Sequence, residues 1–387
     1  MKLLVILSRF PYPLEKGDKL RAYNQIKELS KNNKIALFAI NDTSLSKESI
    51  DELKKYCTSI KVVPLSKLNI LFNLLASIFR MIPFQVGYFY SKKIQKQLDA
   101  YIKKEKPNHI YCQLIRTTEY VKKHKNIKKT LDYMDVFSKG IERRKKSDPF
   151  YMKPILAYEH RLLLKYENEI FNYFDNKIII SEQDKMFIPH PKKGEIKVIP
   201  NGVDIYFFKP MIMEKKFELL FNGNMNYPPN IESAEYLAQK IMPLVWQKLP
   251  QTKLLLSGAS PNEKVKALAS DKIIVSGWVD DIRENYAQSK ILVAPMQISI
   301  GLQNKLLEAM AMKIPCVTST IANNAINAKH NEQIMVANTP QEYANYIVEL
   351  LNDKHKLETI ANNGYHFILE KYNWTKNTSL LEQLFVK

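Results

Sequence analysis

Residues Ser299-Ile-Gly-Leu-Gln-Asn-Lys-Leu-Leu-Glu-Ala-Met-Ala-Met-Lys-Ile-Pro-Cys-Val-Thr318 decide the fold class. The apolar run Lys290-Ile-Leu-Val-Ala-Pro-Met296 precedes them and reads as a strand. Leu302, Leu306, Leu307, Met310 and Ala311 recur at helical spacing and give the next element a buried stripe. A second apolar strand begins near Pro315. Glu308 stands alone as a carboxylate within this apolar, small-residue helix, and buried carboxylates are rare without a partner. Two readings stay open. Lys305, one turn earlier, can pair with Glu308 in a local ion pair. Alternatively, Glu308 accepts hydrogen bonds from two ribose hydroxyls while Lys305 reaches the adjacent diphosphate.

The same alternation runs outward in both directions. In the first half, strands are expected at Leu3–Ser8, Lys34–Ile40, Ile60–Leu65, His109–Leu114, Lys129–Tyr133 and Lys177–Ser181. Helical patterns lie between them, including an amphipathic one from Ile155 to Phe174. Near Lys197-Val-Ile-Pro-Asn-Gly-Val-Asp204 the texture changes, with Asn201-Gly202 as a turn signal. A second series follows: strands Phe217–Asn222, Lys253–Ser257, Ile273–Gly277, Ile291–Ala294, Cys316–Ser319 and Gln333–Ala337. Helices are expected between them at Asn230–Lys248, Asn262–Ala269, Asp281–Gln288 and around Glu308. Apolar strands alternating with helices imply parallel sheets covered on both faces. The expected architecture is α/β with two Rossmann-like, doubly wound domains, 1–204 and 205–373, facing a cleft. In such sheets ligands bind beyond the carboxyl ends of the strands.

A length of 387 residues suits two domains, and an apolar content of 45% supplies ordinary cores. Cys57, Cys112 and Cys316 lie far apart and read as buried thiols of a reducing compartment. Leu3-Leu-Val-Ile-Leu7 is too short for a signal core and reads as a first strand. The longest apolar stretch, Leu68–Phe79, falls short of the roughly 20 residues that span a bilayer. The charge of +19 is uneven: residues 1–200 hold 39 Lys and Arg against 21 Asp and Glu, whereas the remainder is nearly neutral. A basic first half suits an anionic partner: nucleic acid, an acidic membrane surface or a phosphorylated acceptor. No zinc finger, helix-turn-helix or RNA-binding aromatic motif supports nucleic acid. The histidines are dispersed, and no metal set is expected.

The pattern Gly-x-Gln-Asn-Lys-x-Leu-Glu-Ala-Met-Ala-Met resembles the nucleotide-sugar motif of glycosyltransferase family 4, retaining enzymes of the GT-B fold. It is closest to the branch found with exopolysaccharide and exosortase-type loci. That family usually carries two glutamates eight positions apart; Glu308 matches the second, and Ile300 stands at the first. The resemblance implies a metal-free, cofactor-free hexosyltransferase. It would move a sugar from a nucleotide-diphosphate sugar to a glycan or lipid-linked cell-envelope acceptor. The cysteines of a reducing compartment and the basic first half suit a cytoplasmic location, peripheral at the inner membrane face. The resemblance also implies that the last helix, 374–387, packs back on the first domain. Donor contacts are expected from Gly223, Asn224, Gly301, Leu302, Gln303, Asn304, Lys305 and Glu308. In a retaining enzyme of this type the leaving diphosphate itself accepts the acceptor proton, with Lys305 meeting its charge.

Other segments carry subsidiary readings. Phe221-Asn-Gly-Asn-Met-Asn-Tyr-Pro-Pro-Asn230 joins a strand to a helix; Gly223 permits close approach, and the helix N-terminus favours a diphosphate. The alternative is an ordinary turn. Gly17, Asp18 and Arg21 follow the first strand and are expected to face donor phosphate or acceptor, with Asp18 as a helix N-cap in the plain reading. Asp132 and Asp135 close a strand, and Asp135 is the candidate to grip a hydroxyl or accept a proton; its plain reading is a helix cap. Asp281 with Glu284 reads as a helix start. The Leu68–Phe79 stretch is read either as a core helix or as a membrane-lying one. Two other functions stand beside transfer: a sugar-nucleotide epimerase or hydrolase, and a degenerate paralogue that binds nucleotide sugar or a partner without turnover.

Overall fold

A computed structural model describes residues 1–14, 16–298 and 302–386. The chain divides into two units, Met1–Pro200 with Trp374–Lys387, and Asn201–Asn373. The boundary falls at Pro200, four residues before the expected one, because Val203 already bridges Asn373 in the second unit.

The first unit is built on a parallel seven-stranded sheet. Its strands are β1 (Lys2–Leu7), β2 (Lys34–Asn41), β3 (Ser59–Pro64), β4 (His109–Gln113), β5 (Lys128–Asp132), β6 (Asn176–Ile179) and β7 (Lys197–Val198), in the order β3-β2-β1-β4-β5-β6-β7. β7 is not among the expected strands; two residues are too few for a periodic signal. Successive residues of β1 face opposite ways. Leu4 and Ile6 join one core with Ile110, Leu98 and Leu163. Leu3, Val5 and Leu7 join another with Ile26, Leu29 and Leu37. A strand buried on both faces explains why Leu3–Leu7 is continuously apolar.

The last helix, Trp374–Val386, belongs to this second core. Leu381 and Phe385 are buried there, the Phe385 ring lies 4.7 Å from that of His109, and Asn176 Nδ2 donates to Leu384 O at 2.7 Å. The helix thus shields the Leu3/Val5 face that the sheet leaves open.

The second unit carries β8 (Phe217–Asn222), β9 (Leu254–Ser257), β10 (Ile273–Gly277), β11 (Ser289–Ala294), β12 (Cys316–Thr318) and β13 (Met335–Val336), ordered β10-β9-β8-β11-β12-β13 and all parallel. The expected single helix from Asn230 to Lys248 is instead Pro228–Tyr236, a π turn at Leu237–Ile241, and Met242–Lys248. Pro243 lacks an amide and crowds the preceding turn, so the chain widens there. The Glu308 helix spans Asn304–Ala311 and runs straight into β12.

Both sheets reverse their winding at one point, between β1 and β4 in the first unit and between β8 and β11 in the second. Ligands of doubly wound sheets bind beyond the strand ends at such points. The loops after β1, β4, β8 and β11 are therefore the places where chemistry is expected.

Candidate active site

Beyond the β8/β11 switch point, the Asn304–Ala311 helix sets Lys305 and Glu308 one turn apart. They do not form the local ion pair that the spacing allows. Lys305 Nζ instead donates to Asn230 Oδ1 at 2.8 Å and lies 4.4 Å from the centre of the Phe221 ring. Glu308 Oε2 accepts from the Tyr286 hydroxyl at 2.8 Å, and that hydroxyl in turn accepts from Asn222 Nδ2 at 2.8 Å. Burial lowers the Lys305 pKa to about 7, against the opposing field of Glu308. Burial also raises the Glu308 carboxyl above its ordinary range, while Tyr286 and Lys305 pull it down. Neither charge is neutralised by a close partner among the described residues, and such groups collect where a charged or polar ligand completes them. Asn222 Oδ1 and Asn304 Oδ1 are also buried with no hydrogen-bond partner among the described residues.

Gly223 brings backbone to this pair. A Cβ there would lie 2.7 Å from Asn230 Nδ2 and 3.1 Å from Lys305 Nζ. Behind it, Gly258 sits at φ +138°, and a Cβ on it would meet Gly223 O at 1.8 Å. The two loops touch through backbone alone, which only glycine permits. The expected anion-binding helix terminus after β8 is not built. Pro228 and Pro229 open that helix without amides to donate, and the amides of Asn230 and Ile231 bond to Tyr227 O. Asn224 turns its Oδ1 onto the Asn226 amide and is exposed. Leu302 packs on the hydrophobic core, and Gln303 precedes the helix as its N-cap. Gly301 and Ile300 lie outside the described residues. Asp281 accepts from the Arg283 amide at 2.9 Å and pairs with its guanidinium, so the helix-start reading of that residue holds.

Sequence reasoning does not find Tyr286, Asn222 or Asn230. Tyr286 reaches Glu308 from the helix Ile282–Ala287, whose own pattern announces only a short amphipathic turn.

At the β1/β4 switch point the first unit gathers a second set. Arg9 follows β1; its Nη1 lies 3.2 Å from Asp18 Oδ2 and its Nε 4.0 Å from Asp42 Oδ1. Arg116 follows β4; its Nε and Nη2 donate to Gln85 Oε1 at 3.3 and 3.0 Å, and Phe89 and Phe137 flank its guanidinium. Burial, with Arg9 nearby, lowers the Arg116 pKa to about 10. Asp135 follows β5, and its side chain makes no hydrogen bond or ion pair among the described residues. It does not cap a helix, because Val136 is the N-cap and Glu167 receives the Ser138 amide at 3.1 Å. Burial, with Asp184 and Asp132 adding to it, raises the Asp135 pKa to about 6 against the pull of Arg116 and Arg143.

Two expectations in this unit are corrected, those for Asp18 and Arg21. Asp18 is not the N-cap; Lys16 is, and Asp18 sits in the first turn of the Gly17–Leu29 helix and pairs with Arg9. Gly17 starts that helix with open space where a Cβ would point. Arg21 does not face a phosphate. It is wholly buried, with Nε 2.6 Å from Asp132 Oδ2, and Tyr111 donates to the same oxygen at 2.6 Å. Burial opposes its charge, but Asp132 and Tyr111 hold the guanidinium protonated above its ordinary range. The cations beyond the strand ends are Arg9 and Arg116, which position alone marks in the sequence. Arg21→Met leaves the Asp132 carboxylate buried without its cation. The expected cost is about 3–5 kcal/mol, read as a lower urea midpoint with unchanged slope.

Two units, each built on a parallel, doubly wound sheet, are the architecture of the GT-B fold. Residues 216–353 match the family model described as Glycosyl transferases group 1. A Klebsiella pneumoniae protein described as an uncharacterized 44.6 kDa protein in the cps region is 23% identical over 97% of each chain. An Escherichia coli UDP-Gal:alpha-D-GlcNAc-diphosphoundecaprenol alpha-1,3-galactosyltransferase is 23% identical over 50% of this chain and 54% of its own. Among solved structures, sucrose-phosphate synthase from Thermosynechococcus elongatus superposes with TM-score 0.70 at 16% identity, covering 100% of this chain and 98% of that one. HepE from Anabaena in complex with UDP gives 0.68 at 14% identity over 100% of both. The chain is a glycosyltransferase of the GT-B type. Its second unit carries the signature of the group 1 glycosyl transferases over residues 216–353.

Proposed function

We propose that the protein transfers a sugar, with retention at the anomeric carbon and without a metal ion, from a nucleotide-diphosphate sugar to a glycan or lipid-linked acceptor of the cell envelope. The observation that carries this reading is the unneutralised Lys305 and Glu308 pair beyond β11, with Gly223 backbone against it. Glu308, held by Tyr286, accepts the two ribose hydroxyls. Lys305 takes up a proton as the diphosphate arrives and meets the charge that grows on it as the glycosidic bond breaks. The leaving phosphate oxygen then receives the acceptor proton on the same face of the sugar, so no carboxylate nucleophile is needed. Asp135, ionised above about pH 6, holds an acceptor hydroxyl. The envelope acceptor is supported by the names of the two bacterial relatives, and a uridine donor by the UDP in the HepE complex.

The test is incubation of the purified protein with UDP-glucose or UDP-galactose and a diphosphopolyprenol-linked sugar. The expected product carries an α linkage by NMR, and EDTA leaves its rate unchanged. A β linkage would sink retention, and loss of rate in EDTA would sink metal independence. Donor binding with no release of nucleoside diphosphate across acceptors would favour the non-transferring paralogue.

A further inference from the structure

We propose that the Lys67–Arg80 helix of the first unit docks this protein on an anionic lipid surface, lying in the plane of the interface with its apolar face in the bilayer. The helix packs inside out. Its inward side is narrow: Ile70 touches the core, Leu74 and Ala76 are half-buried, Asn73 Nδ2 donates to Tyr88 O at 3.2 Å, and Ser77 is wholly buried against Gly87, where a Cβ would approach the Ser77 Cβ to 2.3 Å. Its outward side is apolar. Leu68 is 70% exposed, Phe72 67% and Phe79 88%, with Leu71, Leu75, Ile78 and Met81 also exposed. The core-helix reading holds only for the narrow Ile70 edge, since a core helix would turn its wide apolar face inward and this one turns it out.

The surface continues beyond the helix. Phe84, just after it, lies 6.0 Å ring to ring from Tyr158, and Glu159 accepts from the amides of Phe84 and Gln85 at 2.7 and 3.1 Å. These contacts fasten the start of the Lys153–Ile170 helix beside it, where Phe150, Tyr151 and Ile155 are exposed as well. Proteins that stay in water rarely leave so much contiguous apolar surface uncovered.

Charge selects the occupant. Between Glu52 and Asp99 the sequence has no acidic residue and eight Lys and Arg, with Lys67 and Arg80 at the two ends of the helix. Cations flanking an apolar face match anionic headgroups above an acyl layer. Two copies of so basic a face repel, which disfavours a second chain. The 14-residue helix is too short to cross, and no helix among the described residues is long and apolar enough to do so. This inference does not depend on the transfer reaction proposed above.

The test is co-sedimentation of the full chain with vesicles of phosphatidylcholine, with and without phosphatidylglycerol. A triple variant, Leu71→Ser with Phe72→Ser and Phe79→Ser, is run beside it. Nucleotide binding and melting serve as checks on its fold. Wild type is expected on the phosphatidylglycerol vesicles only, less so at high salt, and the variant is expected to bind roughly tenfold or more weakly. No wild-type binding to phosphatidylglycerol vesicles would overturn the proposal, as would equal binding by the well-folded variant. A wild-type dimer in sedimentation velocity that the variant loses would assign the face to a second copy instead.

Discussion

Lys305→Met is expected to lower kcat by roughly 10²–10³-fold, the usual effect of deleting one group that meets charge in a transition state. The same variant is expected to melt at a higher temperature. Burial has lowered the Lys305 pKa to about 7 from an ordinary value of 10.5, so the folded protein resists a proton that the unfolded chain holds. Between those two values the unfolded state binds more protons, and stability rises with pH. At pH 7 and below, nearly the whole penalty is present. Methionine fills a similar volume without it. The gain in melting temperature is therefore greatest near pH 7 and shrinks toward pH 10. The bond to Asn230 and the contact with the Phe221 ring are lost too, and these oppose the gain. An unchanged rate would remove Lys305 from the chemistry. A fall in both rate and melting temperature would mark it as structural.

Glu308→Ala is expected to weaken donor binding about 100-fold, the effect of losing about 3 kcal/mol in two charge-assisted hydrogen bonds. The fold should survive, because the Tyr286 hydroxyl keeps Lys305 O at 3.2 Å as an alternative acceptor. Glu308→Gln keeps one good acceptor and should lose less. Acid pH should imitate the substitution. The Glu308 pKa is raised above its ordinary value, so donor affinity falls as the pH drops through that raised value, at a higher pH than for an exposed carboxylate. Titrations across the acid range check this, with the alanine variant showing a flat response.

What can be read from the chain depends on how close in sequence the interacting residues are. Lys305 and Glu308 share one helix within a run of fixed spacing, so their common face is legible. Tyr286 lies 22 positions from Glu308, and Asn230 lies 75 from Lys305; nothing local announces either contact. Arg21 is misplaced by sequence reasoning for the same cause. As a cation near the first strand it suggests an anion site, but its burial is only tolerable because Asp132 waits 111 positions away. The Lys67–Arg80 helix shows the converse limit. Its apolar periodicity is evident, yet periodicity gives the face and not its direction. Asn73, Ser77 and Gly87 settle that by packing inward. The sheets are legible because strands buried on both sides are continuously apolar, and only the two-residue β7 escapes.

The claim that Lys305 and Glu308 form the donor site is tested most directly by calorimetric titration of wild type and Glu308→Ala with UDP-glucose, UDP-galactose and their counterparts on other bases. The account predicts that one donor binds wild type and that binding weakens about 100-fold in the folded variant. A donor that binds both proteins equally well would contradict it, and so would a folded wild type that binds none.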